Sequence, residues 1–143
     1  MKIAILRSIG AGVCLWAAAS AALAHHSFAA QYDSTKVVSL KGWVTKVEWS
    51  NPHVYFYIDV ENEDGEIENW CIEMGPPHML QDAGWKRNSM TIGDELLVEA
   101  TRARDGSTTA NARSVTLAAT GEVLGAASSE QQTLTGGANR ANP

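Results

Sequence analysis

The stretch from Val54 to Val60 alternates without interruption. Val54, Phe56, Ile58 and Val60 fall on one face of an extended chain, and Tyr55, Tyr57 and Asp59 fall on the other. A period of two is the signature of a strand with one face in a core, whereas a helix would repeat its apolar residues every three or four positions. Neighbouring segments follow the same rule. Val37 to Trp49 is rich in branched and aromatic residues, with Leu40, Gly42 and Val44 alternating against Lys41, Trp43 and Thr45. Its phase slips near Lys46-Val47, which predicts a bulge or bend, and Gly42 gives room for the sharp coiling of a small barrel. Glu66 to Met74 sets Trp70, Ile72 and Met74 against Asn69, Cys71 and Glu73. Glu95 to Arg104 and Asn111 to Ala118 supply two more strands, and Gly121 to Leu124 a last short pairing.

Turn chemistry separates these segments: Asn51-Pro52, the polar run Glu61 to Gly65, Gly75-Pro76-Pro77, and Arg104-Asp105-Gly106-Ser107. His78 to Ala83 reads as a short helix, started by proline and ended by Gly84. Three strands, a short helix and two strands is the order of an oligonucleotide-binding-type barrel. The expected fold is therefore all-β, a small five-stranded OB-like barrel over residues 36–124 with a short helix between strands 3 and 4. A sandwich or meander is the alternative.

The ends differ in kind. Lys2 and Arg7 precede an apolar run from Ile9 to Leu23 that closes on Ala22-Leu23-Ala24. That is the layout of a secretory signal peptide over residues 1–24, cleaved after Ala24, so the expected location is periplasmic. The run is shorter than the ~20 residues that span a bilayer, and no second segment approaches that length, so no transmembrane segment is expected after cleavage. Residues 25–35 read as a polar N-terminal arm carrying Phe28 and Tyr32. Residues 125–143, with almost nothing to bury, read as a disordered tail.

Of the 11 basic side chains the leader takes Lys2 and Arg7, leaving 9 against 16 acidic ones, a formal charge of −7. Such a field repels backbone phosphates, so nucleic acid is not an expected partner. The acidic run Glu61, Glu63, Asp64, Glu66 and Glu68 lacks the regular calcium-loop spacing and reads as a solvated hairpin. Only Cys71 survives cleavage, so an intramolecular disulfide is excluded; burial, a metal or another chain would occupy the thiol.

Around Asn51-Pro52-His53 the chain resembles a family of small exported bacterial proteins classed as a domain of unknown function. The pattern runs through His25-His26-Ser27-Phe28, Tyr32-Asp33, Gly42-x-Val44, Trp49-x-Asn51-Pro52-His53, Trp70-x-x-Glu73, Gly84-Trp85, Gly93-Asp94 and Arg104-Asp105-Gly106-Ser107. The resemblance implies a periplasmic location and transfers no chemistry. A second resemblance is to small periplasmic copper-carrying barrels, which hold Cu(I) with histidine, methionine and a nearby tryptophan. Here His53 or His78, Met74 or Met79, and one of Trp43, Trp49 or Trp70 would be available, at spacings that depart from that pattern.

Two groups of residues could carry metal chemistry. If His25 begins the mature chain, its amine and imidazole can chelate one ion, and His53 or His78 can add a third nitrogen; alternatively His26 binds with the amine and the intervening amide. Nitrogen ligands of this kind favour copper or zinc over magnesium or calcium. The competing reading is a solvated or hydrogen-bonded arm. The second group is Cys71, Glu73, Met74, His78 and Met79, in which Cys71 and Glu73 share a strand face and could form one site. It suits Cu(I) if assembled, and reads otherwise as ordinary core filling.

The aromatics Trp43, Trp49, Tyr55, Tyr57, Trp70 and Trp85 would form either the core and its ends or an exposed strip for a small ligand or protein partner. No glycine-rich phosphate loop or nucleophile elbow is present, so enzymatic chemistry finds little support. The sequence thus points to a small exported binding protein with copper as the specific candidate, or to an interaction or assembly accessory domain using its aromatic surface.

Overall fold

A computed structural model describes residues 28–128. The strands are β1 (Tyr32–Glu48), β2 (Tyr55–Glu61), β3 (Ile67–Glu73), β4 (Glu95–Ala103), β5 (Thr109–Leu117) and β6 (Glu122–Gly125), and a short helix, Pro77–Asp82, lies between β3 and β4. They form one sheet in the order β3-β2-β1-β4-β5-β6, and a parallel pairing of β3 with β5 closes it into a ring. This is the all-β, OB-like barrel expected from the sequence, with a sixth strand added.

The alternation read from the sequence places the core. Val44, Phe56, Ile58, Ile72, Leu96, Val98 and Val115 point inward and are buried. β1 coils so strongly that its first half pairs with β4 and its second half with β2. Two features permit this. The β1–β2 register shifts between Val44 and Lys46, a bulge close to where the phase slips. At Gly42 the Asp59 carbonyl oxygen occupies the space a Cβ would need, so only glycine fits the crossing.

The acidic run forms the β2–β3 hairpin. Asn62 Oδ1 accepts the amides of Asp64 and Glu66 at 3.0 and 2.9 Å, and Gly65 takes the positive φ of 80° that closes the turn. The helix begins with Pro77 at its first turn and buries Leu80.

Two boundaries differ from the sequence expectation. β1 starts at Tyr32, inside the segment read as an arm, because Tyr32 pairs with Ala103 and is itself buried. At the other end residues 125–128 are packed. Ala126 accepts from the Gly75 amide at 2.8 Å and donates to the Arg113 carbonyl at 3.2 Å, and Ala126 and Ser128 are buried. The physical reason lies in β5, whose edge opposite β4 is shared. Thr109 to Asn111 pair with β3, while Ser114 to Leu117 pair with β6, so the chain after β6 seals the gap where β3 leaves. The leader, His25 and His26, and the tail from residue 129 lie outside the described residues. No helix among those described is long and apolar enough to cross a membrane.

Candidate functional site

One end of the barrel gathers the start of β1, the start of β2, the end of β3 and the start of β5. There, a buried carboxylate joins two side chains from distant parts of the chain. Glu73, at the end of β3, faces away from the core, as alternation requires. Its Oε2 accepts the Tyr32 hydroxyl at 2.6 Å, and its Oε1 lies 2.6 Å from His53 Nδ1. A carboxylate only accepts, so Nδ1 of His53 carries the proton of that contact. The cis Asn51-Pro52 turn delivers His53 to this position just ahead of β2. The imidazole is 40% exposed while the carboxylate is nearly enclosed. Among the described residues His53 Nε2 makes no hydrogen bond.

Tyr32 is fixed from several sides. Its ring lies 5.2 Å from that of Phe28, and Gln31 Nε2 donates to its hydroxyl oxygen at 3.2 Å. Burial and then the bond to Glu73 hold its ionisation far above the ordinary phenol range. Residues 28–31, a helical turn leading into β1, are held by Arg104, whose amide donates to the Gln31 carbonyl at 2.9 Å and whose Nε donates to the Ala29 carbonyl at 2.7 Å. Arg102 Nη2 meanwhile donates to the Gly106 carbonyl at 2.8 Å, and the Ser107 amide donates to Asp105 Oδ1 at 2.9 Å. The turn at residues 104–107 is thus closed by its own hydrogen bonds, and Arg104 also serves the segment that leads into the site.

Beside this network the same outer face carries a second polar patch. Tyr55 pairs with Glu73, and Tyr57 pairs with Cys71. Tyr57 donates to Glu48 Oε2 at 3.3 Å, and Lys46 binds Glu48 at 2.6 Å while standing 5.0 Å from the Tyr57 ring centroid. Burial pushes the half-buried Cys71 thiol up, with the Tyr57 hydroxyl opposing that effect. Cys71 in turn holds the Tyr57 phenol up at about 12.

The other expected site residues are not drawn together. Met74 is buried in the core on the face opposite Cys71, because strict alternation persists to the end of β3. His78 is exposed on the short helix and Met79 is half-buried there. No group of three or more histidine, cysteine, aspartate or glutamate side chains among the described residues is placed to hold a metal ion. The aromatic strip also divides. Trp70 and Trp85 are 5% and 2% exposed and belong to the core, so neither can face a partner. Trp49 packs against that core, and Tyr55 and Tyr57 are half-buried. Trp43 alone of the six is largely exposed, at 47%. The reason is geometric: Trp70 shares its face with Ile72, and that face is the inside.

The sequence does not single out Tyr32 as a site residue, and it groups Glu73 with Cys71 rather than with His53. The signal was present in Tyr32-Asp33 and Trp70-x-x-Glu73 of the recurring pattern, and in an outward-facing glutamate opposite Tyr55. What was missing was the pairing of β1 with β4 that brings Tyr32 across.

Fold and site together define a small OB-like barrel with a histidine–carboxylate–phenol network at one end. The chain belongs to the family described as "Family of unknown function (DUF6152)", whose model matches residues 13–112. No curated protein and no solved structure matches it.

Proposed function

We propose that this protein is an exported, periplasmic binding protein that holds copper at the Glu73 end of its barrel, with His53 as the anchoring ligand. His25 and His26, at the start of the mature chain, supply the remaining nitrogens. The observation that carries the reading is the His53–Glu73 contact. A histidine whose Nδ1–H is held by a carboxylate, with Nε2 left over, has the arrangement of a metal-ligating imidazole and its supporting acceptor. Phe28, the first of the described residues, packs on Tyr32 beside this network. His26 and His25 are two and three residues from Phe28, a reach of at most about 7 and 11 Å. Imidazole and amine ligands favour copper or zinc over the harder divalent ions.

The test is to express the precursor through its export route, verify the N-terminus by intact mass, and titrate Cu(II) by electron paramagnetic resonance. Nitrogen hyperfine structure that is lost in His53→Ala and in His25→Ala, and retained in His78→Ala, supports the site. Correctly processed, folded protein with affinity no better than ~100 μM overturns it.

A second reading, a partner-docking accessory domain without metal, is favoured by Trp43 and Leu97. Both are about half exposed, and they are diagonal neighbours on β1 and β4 through the Lys41–Leu97 and Trp43–Glu95 pairs.

A further inference from the structure

The Glu73 carboxylate is occupied on both oxygens by groups from different strands and loops. Turning it to release His53 would also break the Tyr32 bond. Glu73 is itself set by the sheet, paired to Tyr55 on β2 and to Asn111 on β5. Tyr32 is set by the Tyr32–Ala103 pairing, by the Phe28 ring and by the segment that Arg104 clamps at Ala29 and Gln31. The chain of contacts runs from Arg104 through residues 28–31 to Tyr32, then Glu73, then His53.

An imidazole in water moves its proton freely between its two nitrogens. A fixed acceptor at one nitrogen selects the form that leaves the other as a lone pair, which is the form that can ligate. We infer that Tyr32, acting through the Glu73 carboxylate, is a positioning residue that holds His53 with its proton on Nδ1 and its Nε2 lone pair free. The Arg104 clamp thereby becomes part of how the site is set, although Arg104 touches neither Glu73 nor His53 in any hydrogen bond of the described residues. The inference deepens the metal reading and rests on it for its biological purpose, yet its central statement concerns the metal-free protein.

The experiment compares exported, full-length wild type with Tyr32→Phe, which keeps the ring and removes only the hydroxyl. Long-range proton–nitrogen correlation spectra of the metal-free proteins report which His53 nitrogen is protonated. Wild type is expected to show an unprotonated Nε2, and Tyr32→Phe a shift toward a mixture of the two forms. Copper affinity is expected to fall about tenfold, as for loss of other outer supports of metal-bound histidines. Arg104→Ala, an exposed substitution, is expected to move the same signals in the same direction by less, and serves if Tyr32→Phe fails to fold. Identical His53 nitrogen signals in wild type and in the folded variant overturn the inference.

The two readings fail separately. Wild type that binds no copper but shows a locked Nδ1–H form that Tyr32→Phe releases sinks the copper site and supports the positioning role. Copper binding with His53 signals indifferent to Tyr32 does the reverse.

Discussion

The indole N–H of Trp85 donates to the Gly125 carbonyl at 2.9 Å, tying the segment after the short helix to the last strand of the sheet. Trp85 is buried, so its ring also fills the core beneath that strand. β6 has only four residues, and this bond helps hold it where β3 has left the β5 edge. Trp85→Phe keeps most of the ring and leaves the Gly125 carbonyl without its donor. The expected loss is about 1–2 kcal/mol in urea unfolding. Amide exchange should accelerate in β6 while the β2 amides hold their protection, and uniform acceleration across both strands would contradict the local role.

Two glycines should respond to alanine differently. Gly42 lies against the Asp59 carbonyl, and a methyl group there forces backbone apart at the β1–β2 crossing. Gly42→Ala should cost about 3 kcal/mol or more, since overpacking against main chain has no side-chain escape. Gly65→Ala meets only a distant side-chain atom and is limited by its φ of 80°, so it should cost about 1 kcal/mol. Chemical denaturation of both variants measures the difference, and equal losses would show that the close approach is not what demands glycine at position 42.

Ile67 and Ile72 sit on the same strand with opposite exposures, 59% and 0%. Ile72→Ala should destabilise by about 2–5 kcal/mol through lost burial and the cavity left behind, and Ile67→Ala by less than about 0.5 kcal/mol. The denaturation midpoints of the pair test whether the inner face of β3 has been assigned correctly.

Alkaline pH should weaken the fold through phenols and a thiol. Tyr57 is raised from 10.0 to about 12, first by its bond to Cys71 and then by the charge of that thiolate. Tyr32 is pushed further by burial and Glu73. A raised value means the folded state keeps a proton that the unfolded state releases. The contribution is therefore complete below about pH 10 and is lost as pH rises through 12. Melting temperatures should fall across that window, and less steeply in Tyr57→Phe.

Cys71 follows the same sign at lower pH, and native protein should react with iodoacetamide more slowly than a free cysteine peptide. Because the Tyr57 hydroxyl lowers the Cys71 value, Tyr57→Phe should move the pH midpoint of alkylation upward. A downward move would contradict the hydrogen bond.

Much of the fold was legible because its causes are local. The alternation at Val54–Val60 located β2 to within a residue, Gly65 marked its hairpin, and the phase slip at Lys46-Val47 marked the β1 bulge. The start of β1 was not legible, since Tyr32 is a strand residue only by virtue of Ala103. Nor was the packing of Ala126 and Ser128, whose small side chains advertise nothing until β5 offers a vacant edge. In the site, His53 was singled out by its rigid turn, but the partner that orients it was not.

What the sequence determined by itself is the strand pattern, the turns, and which residues of each strand share a face, because a two-residue repeat and a glycine or proline turn act over a few bonds. Tertiary structure decided which face Trp70 and Trp85 would spend inside, and which strand ends would meet. The bond from Tyr32 to Glu73 spans 41 residues. Its existence depends on the coiling of β1 and the closure of β3 on β5, and no local pattern in the chain encodes that distance.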